Sequence, residues 1–329
     1  MDSYSLLKKT TQEYLWKRNT SNRVKNWGEY NKALIQRGNI SVWFSEDAIQ
    51  KWAAPKQPGK GRPKVYSDDA ILCALLLRAV YNLPLRALQG FLGALVSLLV
   101  LSLPIPCYSQ ICRRAKFLGQ RIKRLCKKRK VTDIVIDSTG LKVYGEGEWK
   151  VRLYGACKRR TWRKVHLAIC PDSHEVVLSF LTENSKSDGE ALIKMSKHLP
   201  DTLERAYLDG AYDKEGCYRK LYEKNIDPIV PPQRGAVLHP MPWMKARNNS
   251  IQEIKGLGGE DGGRKLWKKL KGYHRRSLAE TGMYRFKTLF GGKLRARKMA
   301  YQKAEIYTKA LAMNKMTSLG MPKGKWEFN

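Results

Sequence analysis

Two aspartates and a glutamate stand far apart in the chain, on segments that a fold can bring together. Asp137 ends the run DIVID, Asp209 ends AYLD, and Glu280 lies within KGYHRRSLAETGMYRFKTLFGG. Three carboxylates suit a hard divalent cation, because magnesium wants oxygen ligands and usually takes only two or three from protein. Taken singly, each has a plainer reading. An Asp before Ser-Thr-Gly or before Gly is a common turn-former, and an acid flanked by Arg276 and Lys287 could belong to a surface ladder of ion pairs. At 100° per residue, Tyr273, Arg276, Glu280 and Lys287 fall at about 0°, −60°, −20° and −40°, one narrow stripe. Ala279, Met283, Phe286, Leu289 and Phe290 form the adjoining apolar arc, which would press such a helix onto a sheet. The ion-pair ladder leaves Tyr273 unexplained.

The elements that must position these groups follow from the pattern after Val131. VTDIVIDSTG, KVHLAIC, EVVLSFL, RAYLDGAYD and IDPIVPP are short β-branched or aromatic runs of strand length, each ended by turn residues. Helical stretches cover Gly189 to His198 and Lys214 to Lys224, and the helix of Glu280 opens near Gly272 and closes near Gly291 and Gly292. Three strands, a helix, a strand, a helix and a strand make an α/β sheet covered by helices. That is also the order of a ribonuclease H-like domain, which pattern alone does not separate from other α/β folds. Asp137 and Asp209 end their strands, where such sheets place ligands.

The first 130 residues carry a different signal. With 63 Lys plus Arg against 29 Asp plus Glu, the chain has a formal charge of +34 and a pI near 10.0, while 43% hydrophobic residues suffice for a packed core. Such an excess is best neutralised by a polyanion, nucleic acid first and an anionic membrane second. A spanning helix needs roughly 20 apolar residues. The longest run, FLGALVSLLVLSL from Phe91 to Leu103, is followed by Pro104 and Pro106 and reads as a buried core helix. The start, MDSYSLLKKT, carries charge where a signal peptide needs its apolar stretch, so a cytoplasmic protein without a membrane partner is expected. The seven cysteines include no C-x-x-C pair and the five histidines have no zinc spacing, so reduced structural thiols are expected.

Residues 1–58 form an N-terminal arm with Trp16, Trp27, Trp43 and Trp52, ending in the basic linker APKQPGKGRPK. Residues 59–130 are a helical region. Ser67, Asp68 and Asp69 are N-cap candidates for a run through Val80, Asn82-Leu83-Pro84 breaks it, LRALQGFLGALVSLL resumes it, and a third helix begins near Ser109 with Arg113, Arg114 and Lys116. Three helices with a basic last one fit a helix-turn-helix module entering a DNA groove, or an ordinary bundle. From Arg113 to Lys130 there are ten Lys or Arg and no acid, which favours phosphate binding. Residues 131–329 form the α/β domain, with an insertion at 232–271 too long for an ordinary connection. Trp243 and Trp267 in it are base-stacking candidates, although buried tryptophans are commoner.

Tyr273, Arg276, Glu280 and Lys287, spaced Tyr-x2-Arg-x3-Glu-x6-Lys, resemble the signature around the catalytic glutamate of bacterial DDE transposases. With GYHRRSLAET, FKTLFGG, VIDSTGLKVYGEGEWK, RRTWRKVHLA, LDGAYD and IVPPQRGA, the chain resembles the insertion-sequence-five family from roughly Lys25 to Met321. Their order agrees with it: 72 residues separate Asp137 from Asp209, and 71 separate Asp209 from Glu280. The resemblance implies a ribonuclease H-like catalytic domain in which Asp137, Asp209 and Glu280 bind two magnesium ions, with manganese as a substitute. Two such ions activate the attacking oxygen and neutralise the leaving one in an in-line displacement at phosphorus. Water would release a 3′-hydroxyl at the element's end, and that hydroxyl would then attack target DNA.

By the same resemblance, Arg276 and Lys287 hold backbone phosphates or support the carboxylates, Tyr273 orients the scissile phosphate, and the N-terminal helices read terminal inverted repeats. The insertion, rich in Gly, Lys and Trp, is expected to touch DNA near the cut or to be a disordered surface loop. A homo-oligomer on double-stranded DNA, in a bacterial nucleoid, is implied as well. The chain departs from the pattern at Cys107, where relatives usually carry an acid before the third helix; Ser109 can serve as the cap instead. The first 20 or so residues precede the resemblance. A ribonuclease H-like nuclease or resolvase would share metals and fold without strand transfer. A non-catalytic, sequence-specific DNA-binding protein would leave the carboxylate triad unexplained.

Overall fold

A computed structural model of the chain describes residues 20–55, 63–126, 131–143 and 162–328. The chain divides into two compact units, one of residues 1–42 with 315–329, the other Trp43–Asn314. This differs from the division at 58 and 130 read from composition. The residues around the linker and those of the sheet fall in one unit, and the arm is divided: its part up to Val42 shares a unit with the C-terminal segment, whereas Trp43 and Trp52 belong with the sheet. Much of VYGEGEWK and of RRTWRK, and the first 19 residues, lie outside the described residues.

In the smaller unit, strand β1 (Thr20–Val24) pairs antiparallel with β8 (Gly324–Phe328) in the register Thr20↔Phe328 to Val24↔Gly324. Helix α1 (Trp27–Gly38) follows. Asn26 ties its start to the C-terminal segment, its Nδ2 donating to the Met321 carbonyl at 3.1 Å and its Oδ1 accepting from Lys323 N at 2.7 Å.

In the larger unit, α2 (Asp68–Val80) is capped by Ser67, whose Oγ accepts from Ala70 N at 2.9 Å. Asn82, at φ 54°, breaks the chain, and α3 (Leu85–Leu98) leaves at 111° to α2. Next comes α4 (Tyr108–Cys126). The run Phe91 to Leu103 is not the single core helix expected. Leu92, Leu95 and Val96 are buried, but α3 stops at Leu98, and Leu98 and Val100 are 81% and 91% exposed. No single helix among the described residues is long and apolar enough to cross a membrane.

The sheet comprises β2 (Asp133–Val143), β3 (Trp162–Ile169), β4 (Val176–Glu183), β5 (Arg205–Tyr207), β6 (Asp227–Ile229) and a two-residue strand β7 (Lys293–Leu294). Its order is β4-β3-β2-β5-β6, with β3 and β4 antiparallel and β5 and β6 parallel to their neighbours. β7 pairs parallel with β2 at Lys142↔Lys293. The parallel pairings need crossovers, supplied by α5 (Asp188–Ser196) and α6 (Glu215–Tyr222). The core between sheet and helices includes Ile134, Ile136, Ala168, Leu192, Met195, Leu208 and Leu221.

The insertion is ordered and helical, not a loop. It holds α7 (Lys245–Gly256) and α8 (Gly262–Leu270), with Ile251, Ile254 and Trp267 buried. A Cβ on Gly263 would stand 2.2 Å from the Ile254 carbonyl oxygen, so only glycine lets the two backbones approach so closely. A 3₁₀ turn, Tyr273–Arg276, then leads into α9 (Ser277–Phe290), bounded by Gly272 at φ 62° and Gly291 at φ 72°. The last helix is α10 (Met299–Leu319).

Candidate active site

Asp137 does not end its strand as the sequence suggested: β2 runs on to Val143, and Asp137 sits in its middle, after four buried residues, Asp133 to Ile136, which anchor it in the sheet. It is half-buried, and its Oδ1 accepts from Ser138 N at 2.7 Å. Asp209 follows β5, the strand parallel to β2, and caps a short 3₁₀ turn by accepting from Ala211 N at 2.9 Å. Glu280 projects from the first turn of α9, whose adjoining face buries Ala279, Met283, Phe286 and Phe290. Leu289, placed in that apolar arc by the sequence, is only partly buried, whereas Gly282 is packed so tightly that a Cβ would meet the Ile169 side chain.

The three carboxylates lie near enough to act on one another. Burial first, then the charges of Asp209 and Glu280, push the Asp137 carboxyl above the usual range, against the Ser138 amide and Arg276, which pull it down. Arg276 stands between two of them, with Nη1 3.8 Å from Asp137 Oδ2 and Nη2 hydrogen-bonded to Glu280 Oε1. Tyr273 joins the group. Burial pushes its phenol up to about 12, with the charges of Asp209, Asp137 and Glu280 adding to the effect and Arg276 opposing it.

Lys287 is exposed, roughly 10 Å further along the helix axis. The shared stripe computed at 100° per residue also needs correction at its start, because Tyr273 to Arg276 wind as 3₁₀, about 120° per residue.

What fixes the 3₁₀ turn was not singled out in the sequence. Asp133, 2% exposed, accepts from Arg205 Nε at 2.9 Å and from Arg275 Nη1 at 2.7 Å. Arg275 is thereby held to β2 four residues before Asp137, and its neighbour Arg276 is aimed at the carboxylates. Asp188, at the start of α5, is a fourth acid at the site's edge. Its Oδ1 accepts from Ser138 Oγ at 3.0 Å and lies 3.6 Å from Lys164 Nζ and 3.9 Å from Nδ1 of the buried His166. Burial drives His166 down to about 4, so it is neutral at physiological pH. Only the Asp188 position carried a signal, as an acid in the first turn after the cap Ser187.

The insertion contacts two segments that carry the site. Arg247 Nε donates to Asp213 Oδ1 at 2.7 Å, tying α7 to the LDGAYD segment. Trp267 is core, not a base-stacking platform: it is 1% exposed, donates Nε1–H to Glu253 at 2.8 Å, and lies 6.3 Å from the Tyr273 ring. Trp243 is half-buried and donates to Glu215 Oε1 at 3.2 Å.

Of the N-terminal cations, Arg113 and Lys116 are exposed on α4, whereas Arg114 serves the fold, donating to the Tyr66 carbonyl at 2.6 Å and pairing with Asp68. Cys107 itself stands at the N-cap position of α4, its carbonyl accepting from Ile111 N at 3.1 Å, and Ser109 lies inside the first turn, its Oγ 3.2 Å from the Cys107 sulfur, so Ser109 is not the cap expected from the sequence.

Asp137, Asp209 and Glu280 offer only oxygen donors and excess negative charge, which fits a hard divalent cation in chemistry. In spacing, no three of His, Cys, Asp or Glu among the described residues close to ligand geometry, and Arg276 lies between Asp137 and Glu280. The carboxylates and Arg276 can bind cations or phosphate, and Tyr273 keeps its proton for donation.

Two solved structures resemble the chain weakly. A cryo-EM structure of the piggyBac transposase synaptic complex with hairpin DNA is 10% identical, covering 84% of this chain and 74% of that one, with a TM-score of 0.37. The Drosophila P element transposase strand transfer complex is 10% identical, covering 78% and 81%, with a TM-score of 0.30. The family comparison is stronger. Residues 35–146 match one transposase DDE domain family, and residues 129–315, more than half of the chain and all three carboxylates, match another; the chain therefore belongs to the DDE transposases.

Proposed function

We propose that this DDE transposase is encoded by a bacterial insertion sequence of the insertion-sequence-five type, and that it cuts and joins double-stranded DNA in a ribonuclease H-like domain. The observation that carries this reading is the convergence of Asp137, Asp209 and Glu280 from two parallel-paired strands and one helix, with Arg276 between them. Antiparallel β2–β3–β4 followed by parallel β5 and β6 supports the ribonuclease H-like assignment.

DDE transposases as a family use divalent metal ions. Asp137, Asp209 and Glu280 would hold magnesium, or manganese in its place, which supplies activation of the attacking oxygen and neutralisation of the leaving one. Arg276 compensates carboxylate charge before the cation arrives and is then free to meet a phosphate. Tyr273, protonated at any physiological pH, donates a hydrogen bond to the scissile phosphate. Lys287, exposed on the same helix, holds the backbone further along. Arg113 and Lys116, exposed on α4, bind element-end DNA in this reading, and the α7–α8 hairpin lies beside the cut. Two copies handle two ends.

Strand transfer separates this proposal from a nuclease or resolvase. A labelled duplex ending in the element's terminal repeat with a free 3′-hydroxyl, incubated with plasmid and magnesium, should give joined products that EDTA abolishes. Cleavage without joining would favour a nuclease. Binding without either would leave a non-catalytic DNA-binding protein.

A further inference from the structure

The larger unit holds a cavity of about 650 Å³ whose lining includes none of the three carboxylates. It is of the size that accommodates small organic ligands. One wall is apolar, with Leu75 and Ala79 of α2 and Phe290 at the end of α9; Arg78, Arg295 and Lys298 supply positive charge. We propose that this cavity binds a phosphorylated nucleoside, its base against the apolar wall and its phosphate on Arg78 and Arg295.

The observation that points to a ligand is Arg78. Arg78 lines the cavity and its guanidinium has no hydrogen bond or ion pair among the described residues; its Nε is besides shut away from solvent without a partner, so the group is desolvated and uncompensated and only its outer nitrogens can meet an acceptor in the cavity. Burial, and secondarily Arg295, work against the Arg78 charge, with Glu305 opposing them. Glu305, the acid in the lining, is already committed: it accepts from Arg295 N at 3.1 Å and Ala296 N at 3.1 Å, and pairs with Lys309 Nζ at 2.9 Å.

A guanidinium in need of an acceptor matches phosphate, which takes two parallel N–H bonds. An inorganic anion would leave the apolar wall wet, and a neutral apolar ligand would leave Arg78 unsatisfied. A nucleotide meets both requirements, whether free or extruded from a DNA strand. The cavity borders the catalytic helix through Phe290 and Gly291, so an occupant would bear on the end of the element that carries Glu280.

The test is a fluorescence titration of the full chain with trinitrophenyl-ATP, in EDTA and at high salt to suppress binding to the general positive surface. Saturable one-to-one binding is expected, weakened at least about tenfold by Arg78→Met, which removes the charge-assisted contact, and by Ala79→Phe, which fills the cavity. Asp137→Asn should leave it unchanged. Arg78→Met relieves a buried unsatisfied group and should fold; circular dichroism melting checks both variants. Competition then identifies the source. Displacement by ATP but not by single-stranded oligonucleotide indicates a free nucleotide, and displacement by an intact oligonucleotide but not by one with an abasic position indicates an extruded one. Equal binding by the parent and both folded variants, or displacement by tripolyphosphate as effective as by ATP, would overturn the proposal.

Discussion

Arg276 lies between Asp137 and Glu280, and replacing it with methionine tests whether a divalent cation can take over its charge there. Two unit charges 3.8 Å apart, the Arg276–Asp137 separation, interact by about 4 kcal/mol at an effective dielectric constant of 20. Both side chains keep about a fifth of their exposure, 20% and 21%, so solvent screening reduces this to about 2 kcal/mol. The pair with Glu280, whose side chain is 59% exposed, adds under about 1 kcal/mol. In EDTA, Arg276→Met should therefore unfold in urea at a stability about 2 kcal/mol below the parent, followed by tryptophan fluorescence. The same change should tighten magnesium binding roughly 30-fold, because the cation no longer competes with the guanidinium. At 100 times the dissociation constant, magnesium contributes about 2.7 kcal/mol and should restore the variant. In an Asp137→Asn background the cost of Arg276→Met should fall below about 1 kcal/mol. An unchanged cost in that background, or a loss that magnesium does not relieve, would refute the reasoning.

Three further perturbations are decided by geometry on the same scaffold. Asp137 has a raised carboxyl pKa, so its charged form opposes folding: the parent should lose stability in EDTA as pH rises from the ordinary carboxylate value, about 3.9, through the raised one. Asp137→Asn should then melt higher than the parent at neutral pH, with the advantage gone near pH 4; an advantage that persists in acid contradicts the assignment. Gly263→Ala would place a Cβ 2.2 Å from a backbone oxygen and should cost about 3 kcal/mol in urea unfolding; a cost under about 0.5 kcal/mol would mean that the α7–α8 turn is not so close. Asp133→Asn weakens charge-assisted bonds to Arg205 and Arg275 and should cost about 2–3 kcal/mol, while also lowering cleavage because the turn bearing Arg276 loosens; full activity would remove Asp133 from the positioning role.

The parts of the fold legible in the sequence are those written in local pattern. The apolar runs of β2, β3 and β4, the cap Ser67 and the glycines that bound α9 each act within a few residues. The helix that carries Glu280 was legible for the same reason, since it shows an apolar arc beside its charged stripe. The α7–α8 hairpin was not, because its core rests on a few buried residues such as Ile251, Ile254 and Trp267 among Lys and Gly, and on one glycine contact that has no sequence period. The pairing of β1 with β8 joins opposite ends of the chain, and Asp133 meets Arg275 across 142 residues; neither leaves a local trace. The 3₁₀ turn at Tyr273–Arg276 escaped because helical periodicity assumes α geometry throughout. Arg114 looked like its neighbours Arg113 and Lys116, and only the tertiary contact with Asp68 and Tyr66 distinguishes it.

The central claim is that Asp137, Asp209 and Glu280 form a metal-dependent centre for breaking phosphodiester bonds. Its most direct measurement is single-turnover cleavage of labelled duplex carrying the element's own end, with magnesium or EDTA, by the parent chain and by Glu280→Gln. Glu280→Gln keeps size and hydrogen bonding while removing the charge, so DNA binding should persist while cleavage falls at least about a hundredfold, the scale on which one electrostatic contributor to catalysis is felt. Cleavage of the parent should also disappear in EDTA. Equal cleavage by Glu280→Gln and the parent, or cleavage indifferent to EDTA, would contradict the claim.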